Sequence, residues 1–276
     1  MDHATTMTTP TAHTFSHEAM KTTFTLRLVH TQAATAHAAA NQAFSLIDEI
    51  ENTLSRYVAG SDVSQINQMQ SGQSLYISET GYACLRTALE VCAESGGLFD
   101  ITLGRQIQHR KNAVPGDAPL LVGQLMLDPD RPAIHCIEAG REIDLGGIGK
   151  GYALDQLVPL LRGLGIESGL VAAGASTQRA FGEKAWTIER TGAAGAPTLE
   201  LCNQGLSVSG IGIQGSHIVS PRELKADTYT HSRIWVLHQE AARADAWSTA
   251  CLLMSEEELE SLRDHLTIVC NSPPAP

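Results

Sequence analysis

The 276-residue chain has no run approaching the roughly 20 consecutive apolar residues that a bilayer-spanning helix needs, so no membrane insertion is expected. It has no CxxC pair. Cys84, Cys92, Cys136, Cys202, Cys251 and Cys270 are widely spaced, which argues against a zinc or disulfide framework and for reduced thiols. Positive charge is scarce: 19 Lys plus Arg stand against 30 Asp plus Glu, a formal net charge of −11. That balance excludes the broad basic face of a nucleic-acid or acidic-membrane binder, yet leaves room for a local basic pocket around a phosphorylated ligand. The first residues carry neither a basic start nor an apolar stretch, so they do not read as a secretory signal, and a cytoplasmic location is expected. The Thr-rich stretch 1–18 reads as a disordered tail, leaving 19–276 as one folded domain. HExxH, GxSxG and EF-hand patterns are absent.

What is present is periodic. Lys21 to Val29 alternates, with Phe24, Leu26 and Leu28 on one face of a strand. Gln32 to Leu54 carries Phe44, Ile47, Ile50 and Leu54 on one helical stripe. Ser78 opens another helix that Gly96-Gly97 stops. Residues 104–142 are turn-rich and read as an excursion with short strands such as Ala133 to Ile137. A helix follows the glycine cluster and runs through Leu164, with Pro159 expected to bend or break it. Strands are expected at Gly169 to Ala173, Trp186 to Glu189, Thr198 to Cys202, Leu206 to Ser209, Arg233 to His238 and Thr267 to Cys270. Helices are expected at Ala244 to Met254 and Glu256 to His265. The elements mix without strict βαβ alternation, so the fold class is α+β rather than doubly wound.

Two glycine strings need sorting. Gly210-Ile-Gly212-Ile-Gln-Gly215 matches GxGxxG as letters, but a segment ending in Pro221 follows where a dinucleotide fold needs a helix. Gly147-Ile-Gly149-Lys150-Gly151 lacks the Ser or Thr after Lys and the earlier Gly of a P-loop. The wider segment, Asp144-Leu-Gly-Gly-Ile-Gly-Lys-Gly-Tyr-Ala-Leu-Asp155, is more informative. Its glycines permit close backbone approach, and a helix N-terminus beside Lys150 suits an anion. On residue types alone it reads equally as a plain strand-to-helix turn with a surface Lys.

That segment resembles the DLGGIAKGYAVD signature of the ApbE family of FAD:protein FMN transferases. Further stretches follow in the family's order: Phe15 to Phe24, Leu54-Ser-Arg-Tyr57 with Ser61 to Asn67, Gly97 to Gly104, Leu206 to Arg222, and Ala244 to Ala250. The resemblance spans about residues 15–270. It implies a single two-lobed, T-fold-like α+β domain with mixed sheets and flanking helices. It implies Mg²⁺-dependent transfer of FMN from FAD to a Ser or Thr hydroxyl of an acceptor flavoprotein, with release of AMP. Asp245 and Thr249, four apart on one expected helix, are hard oxygen donors suited to Mg²⁺; the resemblance pairs them with a backbone carbonyl near Gly149. His217 matches the base for the acceptor hydroxyl, and Ile218 follows it in the cofactor-binding segment. Met20 and Tyr57 resemble residues packed on FAD rings, Phe99 and Asp100 the segment at the adenosine half, and Asp144 and Lys150 the ribityl–phosphate region.

The chain departs from the pattern. Lys21 stands where the family has Gly after Met; Ala172, Ala175 and Ser176 replace Asn, Gly and Asp of NAGGDI; Ser220 replaces the Asp of HIIDPRTG, and Glu223-Leu224 its Thr-Gly. These changes feed two alternatives, a flavin-binding homologue without transferase activity and an FAD pyrophosphatase in which water replaces the hydroxyl. The acceptor and the oligomeric state are not written in the sequence.

Overall fold

Alternating and helically spaced apolar residues resolve into the following order in a computed structural model, which describes residues 9–190, 197–210, 218–222 and 229–270. It runs β1 (Thr11–Ala19), β2 (Thr22–His30), α1 (Ala33–Leu54), α2 (Asp62–Ile66), β3 (Ser74–Tyr76), α3 (Glu79–Glu94), α4 (Gly104–Lys111), β4 (Gln124–Leu127), β5 (Ala133–Glu138), α5 (Gly149–Gly163), β6 (Ser168–Ala173), β7 (Thr177–Phe181), β8 (Trp186–Ile188), β9 (Leu199–Leu201), β10 (Gly205–Gly210), β11 (Arg233–His238), α6 (Ala241–Leu252), α7 (Glu256–Leu262) and β12 (Thr267–Cys270). The class is α+β. A seven-stranded sheet has the order β1-β2-β6-β7-β10-β11-β12, a three-stranded sheet the order β3-β5-β4, and β8 pairs with β9.

The period-2 rule sorts the main sheet into two faces. On β11, Ile234 and Val236 join the large core shared with the helices. Trp235 and Leu237 point the other way, into a smaller cluster with Trp186, Ile188 and Leu201 of the β8–β9 hairpin. The same alternation on β10 sends Leu206 and Val208 to the hairpin side. Ser207 and Ser209 therefore face α6, where both make hydrogen bonds.

The tail expected through residue 18 is corrected from Thr11 onward: β1 pairs with β2 along its whole length. His13, Phe15, His17 and Ala19 are its more buried residues, alternating with exposed ones. His17 stacks on Phe44 of α1 and its Nε2 lies 2.7 Å from Asp48. Thr-rich composition is compatible with a strand as well as with a tail, because β-branched residues fit a pleated surface. Three more elements escaped the sequence reading: β3, α4 inside the turn-rich excursion, and β7. The helix containing Pro159 is unbroken, with the proline on its exposed side. All six cysteines are free, and burial pushes the Cys84 and Cys251 thiols up to about 12.

One contact orders the helical layer. Gly151 of α5 lies so close to α6 that a Cβ would run into the Ala241 carbonyl, and a Cβ on Gly205 would lie 2.6 Å from Ala241 Cα. Glu240, the N-cap of α6, offers no side-chain cap. Asp155 supplies one from α5, accepting from Ala241 N at 2.9 Å and Ala242 N at 2.8 Å. Arg179 Nε of β7 lies 3.2 Å from the same carboxylate.

Burial pushes the Asp155 carboxyl up to about 6, against the pull of its two N–H donors and Arg179. The folded chain therefore takes a proton there more readily than the unfolded chain. The stability this lends is fully present below the unfolded value of about 4 and is lost as pH rises through about 6. Asp155→Asn should flatten that slope, so its Tm should vary less than wild type across this window. Equal slopes in the two proteins would assign the pH dependence to other groups.

Candidate active site

The buried side of α6 carries Asp245, and the hydroxyl face of the sheet meets it there. Asp245 Oδ1 accepts from Ser207 Oγ at 2.9 Å and from Thr177 Oγ1 at 3.2 Å; Oδ2 accepts from Gly151 N at 3.3 Å. One turn later Thr249 Oγ1 lies 3.4 Å from Ser209 Oγ, which also bonds Ser248 Oγ at 2.8 Å. A carboxylate has about four lone-pair positions, so three donors leave Asp245 one acceptor direction. Asp245 and Thr249 both line an open cleft of about 920 Å³, mouth included, together with Phe99, Asp100, Asp144, Lys150, Ser176 and Ile218.

The wall opposite α6 is the glycine segment. Asn67, at the end of α2, clamps the chain just before it: its amide donates to the Ile143 carbonyl at 2.9 Å and accepts from Ile143 N at 2.6 Å. Asp144 is buried. Its Oδ1 accepts from Gly146 N at 2.8 Å, and its Oδ2 faces Arg56 Nη1 at 3.4 Å and Lys111 Nζ at 3.7 Å. Arg56 also pairs with Glu142. Lys150, in the first turn of α5, donates to the Gly146 carbonyl at 3.4 Å.

A second cleft, about 1250 Å³ with its mouth, adjoins the first. It is lined by Met20, Lys21, Glu51, Arg56, Tyr57 and Gly149, and shares Lys111, Asp144, Gly146 and Lys150 with its neighbour. Met20 and Lys21 form the two-residue turn between β1 and β2, both with positive φ, 48° and 58°. This is the type I′ pattern that hairpin twist favours and that non-glycine residues adopt at a cost. Glu51 Oε2 anchors the turn by accepting from Met20 N at 2.8 Å. Lys21 Nζ sits 4.0 Å from the centroid of the Tyr57 ring, which is 53% exposed.

Every described residue that the sequence assigned to cofactor or metal binding thus lines one of two adjoining clefts, while Ala172, Ala175 and Ser220 line neither. Met20, Tyr57 and Gly149 lie in the second, Phe99, Asp100, Ile218, Asp245 and Thr249 in the first, and Asp144 and Lys150 in both. His217 lies outside the described residues, as do Gly212, Gly215 and Glu223-Leu224. Asp100 Oδ1 is turned inward to Thr102 N and Oγ1, each at 2.7 Å. Gly147 is the loop glycine beside Thr249, with a notional Cβ 3.2 Å from Thr249 Oγ1. The sequence reading missed Arg56, Lys111, Thr177, Ser207 and Ser209 as site residues. Alternation in Leu206 to Gly210 would have pointed to the two serines; Lys111 needed α4, whose uninterrupted run from Gly104 to a basic last turn is itself a helix signal.

The profile described as ApbE family matches residues 20–270. The FAD:protein FMN transferase of Buchnera aphidicola is 24% identical, across 80% of this chain and 75% of its own length. That of Escherichia coli K12 is 25% identical, across 78% and 71%. Among solved structures, the apo flavinyl transferase ApbE of Pseudomonas stutzeri superposes with a TM-score of 0.80 at 22% identity, covering 96% of each chain. The flavin transferase ApbE of Vibrio cholerae does so with 0.78 at 18%, covering 95% and 94%.

Asp245 has a structural role that its chemistry alone would not announce. Asp245→Ala removes the carboxylate that Thr177, Ser207 and the Gly151 N–H share, leaving the two hydroxyls only each other and Ser176, which should cost roughly 1–3 kcal/mol in urea unfolding. Adding Ser207→Ala should recover part of that loss. Strict additivity of the two changes would show that the hydroxyls find other acceptors.

Proposed function

This chain belongs to the ApbE family, and from that premise we propose that it transfers FMN from FAD to a Ser or Thr hydroxyl of an acceptor flavoprotein, releasing AMP. The observation that supports this most is the pair of adjoining clefts joined at Asp144, Gly146 and Lys150. FAD has two ring systems linked by a diphosphate, and the clefts offer two chambers linked by a cationic seam. In this reading the flavin half enters beside Met20 and Tyr57, the adenosine half beside Phe99 and Asp100, and the diphosphate lies between, near the N-terminus of α5. Ile218 closes the first chamber; its carbonyl is held by Arg110 Nη1 and by Tyr229 Oη, the latter at 3.0 Å. The acceptor oxygen attacks the FMN phosphorus, the phosphoanhydride breaks toward AMP, and the hydroxyl proton passes to His217, a role carried by the family resemblance.

Asp245 and Thr249 are the residues that would hold Mg²⁺, with the Gly149 carbonyl, as the resemblance implies. Their oxygens are of the kind Mg²⁺ prefers, and Asp245 keeps one acceptor direction. Among the described residues no three His, Cys, Asp or Glu side chains converge, so substrate phosphate oxygens and water would complete the shell. When bound, the ion supplies charge neutralisation at the phosphoanhydride. The protein's own part is to hold Asp245 in place through its three donors.

The test is incubation of the protein with FAD, Mg²⁺ and a candidate acceptor. Covalent flavin on the acceptor, lost in Asp245→Asn, is the expected result. Free FMN without labelled acceptor would instead assign a pyrophosphatase. Unchanged bound FAD would assign a flavin-binding homologue, the reading that Ser176 favours because it brings no carboxylate to the first cleft.

Lys21 competes with a ring for the face of Tyr57. A cation–π contact at an exposed site amounts to about 0.5–1 kcal/mol, so Lys21→Gly should tighten FAD binding roughly two- to fivefold in a fluorescence titration. The same Kd for both proteins would mean that the ammonium leaves Tyr57 free in solution.

A further inference from the structure

The seam between the clefts carries an excess of positive charge in a chain of net charge −11. Arg56, Lys111 and Lys150 face Glu142 and Asp144 there, three cations to two carboxylates. The three cations are not equivalent. Arg56 is largely buried and spent on Glu142 and Asp144. Lys150 donates to the Gly146 carbonyl. Lys111, the last residue of α4, is one-third exposed and stands 3.7 Å from Asp144 Oδ2, an ion-pair distance beyond hydrogen-bond reach. Among the described residues its ammonium meets no hydrogen-bond acceptor, so the charge of Asp144 holds it over the seam with its N–H groups open to the cleft. Asp144 is shared besides with the Gly146 N–H and Arg56. The helix end also favours a cation there, since Lys111 sits in the last turn of α4 with His109 and Arg110.

We propose that Lys111 is a specificity-determining residue that contacts the phosphate bridge of a ligand spanning both clefts, and so selects diphosphate-bearing ligands over their phosphate-free counterparts. A compact ammonium with free donors suits a phosphate oxygen whose exact direction varies between ligands. The proposal deepens the transferase reading and rests on it for the identity of FAD, though not for the presence of a diphosphate.

The test uses the full chain with three probes: FAD, riboflavin and inorganic pyrophosphate, each titrated at low and high salt. Lys111→Met should weaken FAD and pyrophosphate about tenfold, the usual worth of one charge-assisted contact, with a shallower salt dependence. Riboflavin should bind as to wild type, and Lys111→Arg should restore most of the lost affinity. Unchanged FAD and pyrophosphate affinity in Lys111→Met would overturn the proposal. So would an equal loss for riboflavin, which would make the residue structural. The two readings fail separately. Pyrophosphate binding that depends on Lys111, with no FAD binding by wild type, would leave Lys111 its role and remove the transferase. FMN transfer by a protein whose ligands ignore Lys111 would do the reverse. A wild type that binds none of the probes would overturn both.

Discussion

The pinning of α6 is the constraint on which the rest of the molecule depends. Ten of its twelve residues are buried, so its depth and rotation fix what the clefts contain. Gly151 and Gly205 bring two backbones against Ala241, and Asp155 caps the helix from its neighbour. Any side chain at residue 151 would push the helices apart and move Asp245 off its three donors. The same few residues therefore set packing and site geometry, which explains why the glycine segment and the Ala244-to-Ala250 stretch are the most informative parts of the sequence.

How much could be read beforehand follows from which forces act locally. Helices with a clear apolar stripe, such as α1 and α3, and strands with strict alternation, such as β2 and β11, were legible because their partners only need to be apolar. So were Asp144, Lys150, Asp245 and Thr249, since they sit inside family-like motifs. What remained hidden depends on tertiary partners. β1 looks like a tail until α1 is present to receive His17 and Phe15. α4 has only a weakly apolar face, and its place beside the glycine segment is set by a long-range link from Gly104 N to the Glu142 carbonyl. The hydroxyls of Thr177, Ser207 and Ser209 are ordinary until the sheet turns them toward a carboxylate.

Electrostatics and shape work at different scales here. The chain as a whole is acidic, so phosphate-bearing ligands gain little from its overall field. Attraction must be short-ranged, and the seam supplies it within about a Debye length. Buried Asp144 organises that seam: it orients Arg56 and steadies Lys111 without neutralising the excess. A carboxylate thus shapes the charge of the pocket by holding the cations in place.

The seven-stranded sheet also dictates a schedule. β2 pairs with β6, β7 with β10, and the helix that completes the site begins only at Ala241. The β2–β6 pairing joins segments far apart in the chain, the kind of contact that forms slowly because loop entropy is lost before it is made. On the ribosome, the Met20 turn and the glycine segment emerge well before the residues that unite them. The cleft is consequently a late product of synthesis, and a nascent chain holds no usable site until its final helices have docked.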